Sequence, residues 1–489
     1  MFALLATAGV AQTTPKVSLD TSENLFTLLA AMNLCGYDQD LAASAPIRKQ
    51  IRSEAVKASE SSAEAKASTQ AMCQFYKDHE QPEASRTLSQ YVSLALYLNP
   101  VPSFTIKTRE ADLPPDASYV QGILPLMLKF YNAAGIDNLW QKHHEEYTAL
   151  TERYHEPVAK MLFDTEVYLK LPSAGYLGRS FTVFLDPLGA PGQTNARSYV
   201  TDYYVVISPG ASGELKMDEI RHTYLHYLLD PLALKYPTNI KRIEPLLDSV
   251  KNAPMDESFK DDISLLVTEC LIRAIEIRTA TGKPTEAQRE EAVEATMQQG
   301  YVLTRYFFDV LKQFEKDPAG LRNTYGQMLT NIDVGKEQKR AAQVVFAKKA
   351  DPELLRPTRT APSNLLNAAQ ERLYAGDSAS AQKLAQQALE QKSEDPGRAL
   401  FILAQVATAN RDIQGARDYF QKALQSTQEP KVVGWSHIYL GRIFDLQENR
   451  EAALDQYRAA LNSGASLPEV KAAAERGLQQ PYEPPHHSQ

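Results

Sequence analysis

Cysteine is scarce in this chain of 489 residues: Cys35, Cys73 and Cys270 are the only three. Three thiols cannot pair completely, and their spacing fits no Cys-based zinc module. Two arrangements stay open. An exported protein could join Cys35 to Cys73, which fall in one helical region, or all three could be buried thiols behaving as small hydrophobes. Positive charge is also short, with Lys+Arg 52 against Asp+Glu 60, a net charge of -8 and a pI near 5.7. Phosphate binding needs a clustered cationic face, none stands out, and a general nucleic-acid binder is excluded. No apolar run approaches the roughly 20 residues that cross a bilayer, so no membrane span is expected. What is present is ordinary for a globular chain, 43% hydrophobic and 23% charged, in a length that suits two or three domains.

The first residues, Phe2 to Ala11, are apolar and small and end in Gly9-Val10-Ala11. Signal peptidase accepts small residues at such positions, so 1–16 reads as the remnant of a secretory signal and leader, and export is expected. From 17 to 170 the apolar spacing is helical, with stripes at Leu25, Leu28, Leu29 and Met32 and at Tyr91, Leu94, Ala95 and Leu98. The period then changes. Phe181–Leu185 and Tyr199–Ile207 alternate and are rich in β-branched and aromatic residues, with a Gly/Pro-rich stretch between them, which predicts an antiparallel pair. Helical spacing resumes near Met217 and lasts to about Lys349, which confines the strands to one small insert in a mainly α chain. Residues 351–362 carry three prolines and read as a linker, and 481–489 as a disordered tail.

Between linker and tail the sequence repeats. Ala381 and Ala388, Ala416 and Ala423, and Ala453 and Ala460 are each seven apart, and Phe420 and Tyr457 share one offset between their alanines. Ala369, Ala404 and Gly441 stand twelve residues ahead. Small residues at these offsets let antiparallel helices approach closely, while the aromatic fills the gap to the next pair. The segment Asn364–Gln480 resembles the tetratricopeptide repeat, with about three helix pairs in an α-solenoid over 363–480. The resemblance implies a surface that binds a protein or peptide partner; Trp435, Tyr439 and Arg442 are candidate contacts there, and each suits ordinary packing equally well.

Most of the nine histidines stand alone or in charged or Pro-rich stretches. His222 and His226 differ. They lie in Asp218–Asp230, whose pattern is helical, and their i, i+4 spacing puts both rings on one face, about 40° apart around the axis. That spacing suits two nitrogen ligands on one zinc ion. Glu219, a turn earlier on the same face, could hydrogen-bond His222 or become a ligand. A second helix follows, in which Glu269, Arg273 and Glu276 are spaced to share a face. Two carboxylates and an arginine in so apolar a helix need partners, and a metal would supply one for Glu269.

Paired strands, a helix with two histidines four apart and a second helix with a glutamate resemble a zincin metallopeptidase of the glutamate-zincin type over roughly 171–350. The resemblance implies zinc held by His222, His226 and Glu269, and a substrate peptide laid along Tyr203–Ile207 as the edge strand. The family motif His-Glu-x-x-His reads His222-Thr223-Tyr224-Leu225-His226 here. Thr223 stands where the family carries the general base, and threonine has no useful basicity near neutral pH. Glu219 lies about 160° of helix rotation away from Thr223, a different approach to the ion. Three functions follow: a catalytically degenerate peptidase-like domain joined to a partner-binding module, an active zinc peptidase with an atypical base such as Glu219, or a metal-free interaction protein.

Overall fold

The computed structural model describes residues 16–483 except 83, 108–109, 111–112, 172–179, 193–194, 200–201, 234, 352–355, 358–364, 375–376, 392–394 and 465–466. The signal-like run, most of the linker and most of the tail lie outside the described residues. The chain is mainly helical, with one small sheet. Among the described residues no helix is long and apolar enough to cross a membrane.

The sheet is built from β1 (Lys16–Asp20), β2 (Ser180–Leu185), β3 (Asn195–Tyr199), β4 (Asp202–Ile207) and β5 (Arg356–Pro357), in the order β1-β2-β4-β3-β5. The antiparallel pairing expected for the two apolar runs is corrected here. β2 and β4 are parallel neighbours, with Phe181 beside Tyr203 and Leu185 beside Ile207, and β1 lies parallel on the far side of β2. Only Tyr199 of the second run belongs to β3, which runs antiparallel to β4 with Ala196 beside Val205. Alternation specifies which face a side chain takes, but not which way the chain runs. The unbroken burial of Val205, Val206 and Ile207 is the mark of a strand covered on both faces, as parallel strands are. Nor are the strands confined to one insert, since β1 precedes the first helix and β5 comes from the linker.

Helices cover both faces of the sheet. Phe181, Val183, Leu185, Tyr203, Val205 and Ile207 point into a core shared with helices Met217–Ala233 and Ile263–Arg278. Phe184, Tyr204 and Val206 point the other way, toward the N-terminal helices. There Glu23–Leu34 is almost wholly buried and starts at Ser22, whose Oγ accepts from the Leu25 amide. The 34-residue helix Ile136–Leu169 serves both cores: Trp140 and Tyr147 in the N-terminal one, Tyr154 and Val158 in the other. Its apolar stripe outweighs the hydrogen bond lost at Pro157. Cys35 and Cys73 form a disulfide between the first and third helices, and Cys270 is a buried free thiol.

Two buried charges tie the loop after β2 to the N-terminal helices. Arg48 donates to Asn33 Oδ1 and to the carbonyls of Tyr37, Gln39 and Gly189, and packs over the Tyr37 ring. Asp186 Oδ1 accepts from the Leu188 amide at 2.9 Å and Tyr147 Oη at 3.2 Å, while Oδ2 is buried without a partner. Burial pushes the Asp186 carboxyl up to about 7, against the opposing pull of those two donors and of Arg48. In the unfolded chain a free aspartate ionises near 3.9. The neutral folded form therefore costs stability progressively as pH rises from about 4 to 7, and the loss is complete above that. Asp186→Asn keeps the acceptor for Leu188 and Tyr147 and is expected to raise the melting temperature relative to wild type more at pH 8 than at pH 5. Equal shifts at both pH values in thermal scans would refute the assignment.

The C-terminal module comprises three helix pairs, Leu365–Tyr374 with Ser378–Gln391, Pro396–Ala409 with Ile413–Ser426, and Pro430–Leu446 with Arg450–Gly464, closed by Pro468–Gln479. All eight alanines singled out in the sequence are buried in its cores, with Phe420 and Tyr457 between them. Gly441 shows why the position is small: a Cβ there would fall 2.6 Å from Tyr457 Cε1.

Candidate metal centre

The histidine helix Met217–Ala233 is rotationally fixed by aromatic packing on the sheet. Tyr224 meets Phe181 edge-on at 5.1 Å between centroids, and Tyr227 meets Tyr203 at 5.6 Å. With those rings against the strands, His222 and His226 face the helix Ile263–Arg278, which begins at Asp262, whose carboxylate caps the Ser264 and Leu265 amides.

The three residues expected to share a metal come together. Glu269 Oε2 lies 3.0 Å from His226 Nε2 and 3.6 Å from His222 Nε2. Among the described residues, these are the one group of three whose ligand atoms all lie within 4.8 Å of one another. Donors on a tetrahedral zinc at about 2.1 Å stand roughly 3.4 Å apart, so the separations fit. Each of the three residues is 1% exposed. The far nitrogens are held as well: His222 Nδ1 by Glu276 Oε1 and His226 Nδ1 by Asp230 Oδ1, both at 2.9 Å. Asp230 is in turn fixed by the Tyr203 hydroxyl at 2.7 Å. A carboxylate on each Nδ1 selects the tautomer that leaves Nε2 free to ligate.

Other expectations are corrected. Glu219 does not reach His222; its carboxylate stands 3.5 Å from Lys216 Nζ, and the acid beside His222 Nδ1 is Glu276. Thr223 is fully buried, and its hydroxyl donates to the Glu219 carbonyl at 3.0 Å. β4, read as the edge strand, lies between β2 and β3 and has no free edge, because the chain needed its apolar run in the middle of the sheet. The outer strand on that side is the short β5, which pairs with β3 at Arg197 and Ser198.

Sequence reasoning placed Glu276 on the shared face without assigning it a partner. Asp230 carried a signal that went unused, since it stands four residues after His226 on the same helix. Tyr203 reaches Asp230 from a strand and carried none.

The electrostatics follow from this packing. Burial would depress the His226 imidazole, but the adjoining Asp230 and Glu269 carboxylates reverse the effect and hold it up at about 10. Glu269, which burial alone would raise, is held well below the usual carboxylate range by His222, Arg273 and His226. Arg273 Nε stands 2.7 Å from Glu269 Oε1, its guanidinium 4.0 Å over the Tyr301 ring.

No curated protein and no solved structure matches the chain. The tetratricopeptide repeat family model matches residues 366–430, the span of the first two helix pairs of the C-terminal module, which supports a module for protein–protein interaction.

Proposed function

We propose that residues 171–350 form a zincin-like domain that binds zinc through His222, His226 and Glu269 but is catalytically degenerate, joined to a repeat module that captures a protein or peptide partner. The observation that carries this reading is the convergence of both Nε2 atoms on Glu269 Oε2, with each Nδ1 held by its own carboxylate. Bound there, zinc would supply Lewis acidity and lower the pKa of a coordinated water. The chain's own contribution to peptide hydrolysis is weak. Thr223 is spent on a backbone carbonyl, Glu219 pairs with Lys216, and the ligands are buried. Export, the reading of the signal-like run, gains support from the Cys35–Cys73 disulfide, because such bonds persist in oxidising compartments.

A metal-free structural role is favoured by one observation. Arg273 beside Glu269 Oε1, together with the two histidines, balances the buried carboxylate without an ion. Elemental analysis of purified protein separates the readings. Wild type is expected to carry about one zinc per chain and His222→Ala almost none, because losing one of three ligands removes most of the affinity. Wild type that elutes without metal, and takes up none when dialysed against zinc, leaves only the structural role.

A further inference from the structure

The third repeat reaches back across the molecule to the first domain. Arg442, on helix Pro430–Leu446, pairs with Glu110 Oε2, and Arg476, on helix Pro468–Gln479, pairs with Glu110 Oε1. Arg476 also donates to Gln121 Oε1 at 3.2 Å, and the Arg442 guanidinium is flanked by the rings of Tyr482 at 4.9 Å and Tyr439 at 5.4 Å. Of the three partner contacts considered from sequence, Trp435 is core and Tyr439 stacks on Phe420 at 5.1 Å. Of those three, Arg442 is the one that pairs with a charge from outside the module.

Two guanidiniums on one carboxylate leave the group with one positive charge in excess. The nearest acid on the same helix, Asp445, does not balance it, because Asp445 is taken by Arg450, the Tyr457 hydroxyl and the Tyr482 amide. The Glu110 side chain is 11% exposed, while that of Arg476 is 28% exposed, so the pair of arginines is open to solvent on the Arg476 side. Planar guanidiniums recognise carboxylates strongly and without regard to the rest of the acid.

We propose that Arg442 and Arg476 form a carboxylate-binding site on the last repeat, and that Glu110 is its internal ligand. The partner of the repeat module presents acidic side chains that displace Glu110 and release the module from the N-terminal helices. This rests on the repeats and not on the metal reading.

The test is fluorescence anisotropy of fluorescein-labelled hexaglutamate titrated with the full chain. Removing the internal competitor in Glu110→Gln is expected to tighten binding at least about tenfold, since a competitor at high effective concentration is lost. Adding Arg442→Ala and Arg476→Ala to that variant should abolish the gain. Arg476→Ala alone, at the solvent-open side, should weaken binding to the otherwise wild-type chain at least about threefold, which keeps the test sound if Glu110→Gln fails to fold. Small-angle scattering should show wild type expanding in saturating hexaglutamate toward the radius of Glu110→Gln. A folded Glu110→Gln that binds no tighter than wild type overturns the proposal. So does a gain that survives loss of both arginines, or an Arg476→Ala chain that binds as wild type does.

Discussion

Zinc-loaded Thr223→Glu is expected to hydrolyse fluorescein-labelled casein about 10²–10⁴ times faster than zinc-loaded wild type, the usual worth of a positioned general base. The proposed metal centre has its ligands and their supporting carboxylates, and its deficiency is local. Position 223 follows the first histidine, and under the proposed reading it is where a zincin carries its general base. Threonine at that position offers a hydroxyl already committed to the Glu219 carbonyl. Thr223 is fully buried, so the larger side chain must displace its neighbours, and circular dichroism and zinc content of both proteins must accompany the assay. A chelator such as 1,10-phenanthroline should remove the gained activity. Wild type that cleaves casein at a chelator-sensitive rate within about threefold of the variant, far inside that range, is an active enzyme, and the degenerate reading then fails.

Replacing both bridged cysteines by serine is expected to destabilise the N-terminal helical region by about 4 kcal/mol, from the entropy a closed loop of this length removes from the unfolded chain. The bridge spans 38 residues and pins the end of the buried helix Glu23–Leu34 to helix Ala63–Asp78. Cys270 lies in the other core and provides an internal control, since its thiol is buried, and burial and nearby Glu269 raise its pKa to about 12. Urea unfolding of Cys35→Ser/Cys73→Ser, compared with wild type with and without reductant, measures the difference. A midpoint indifferent to both the substitutions and the reductant would mean the bond does not restrain the fold.

The parts of this molecule visible in its sequence are those set by short-range spacing. Alanines seven apart recur at every helix pair, with an aromatic between them in the second and third, because the same close approach must be made each time. His222 and His226 share a face by helix geometry alone. Glu269 could be joined to them only through likeness to a known arrangement, since 43 residues of chain separate it from His226. Strand direction was not legible, because a parallel and an antiparallel β2–β4 pair bury the same side chains. Nor was the contact between Glu110 and Arg442, whose positions differ by 332. A single glutamate and a single arginine announce nothing about each other until the fold brings them together.

β1 has a temporal consequence. Its partner β2 lies some 160 residues downstream, with the whole N-terminal helical region between them. At roughly 5–20 residues per second of synthesis, Lys16–Asp20 waits on the order of ten to thirty seconds for the strand it must join. Until then the strand presents a row of unpaired amides and carbonyls, open to pairing with another chain. The helices that follow can collapse early, but β1 to β4 come together only after the ribosome has passed residue 207, and β5 joins them some 150 residues later.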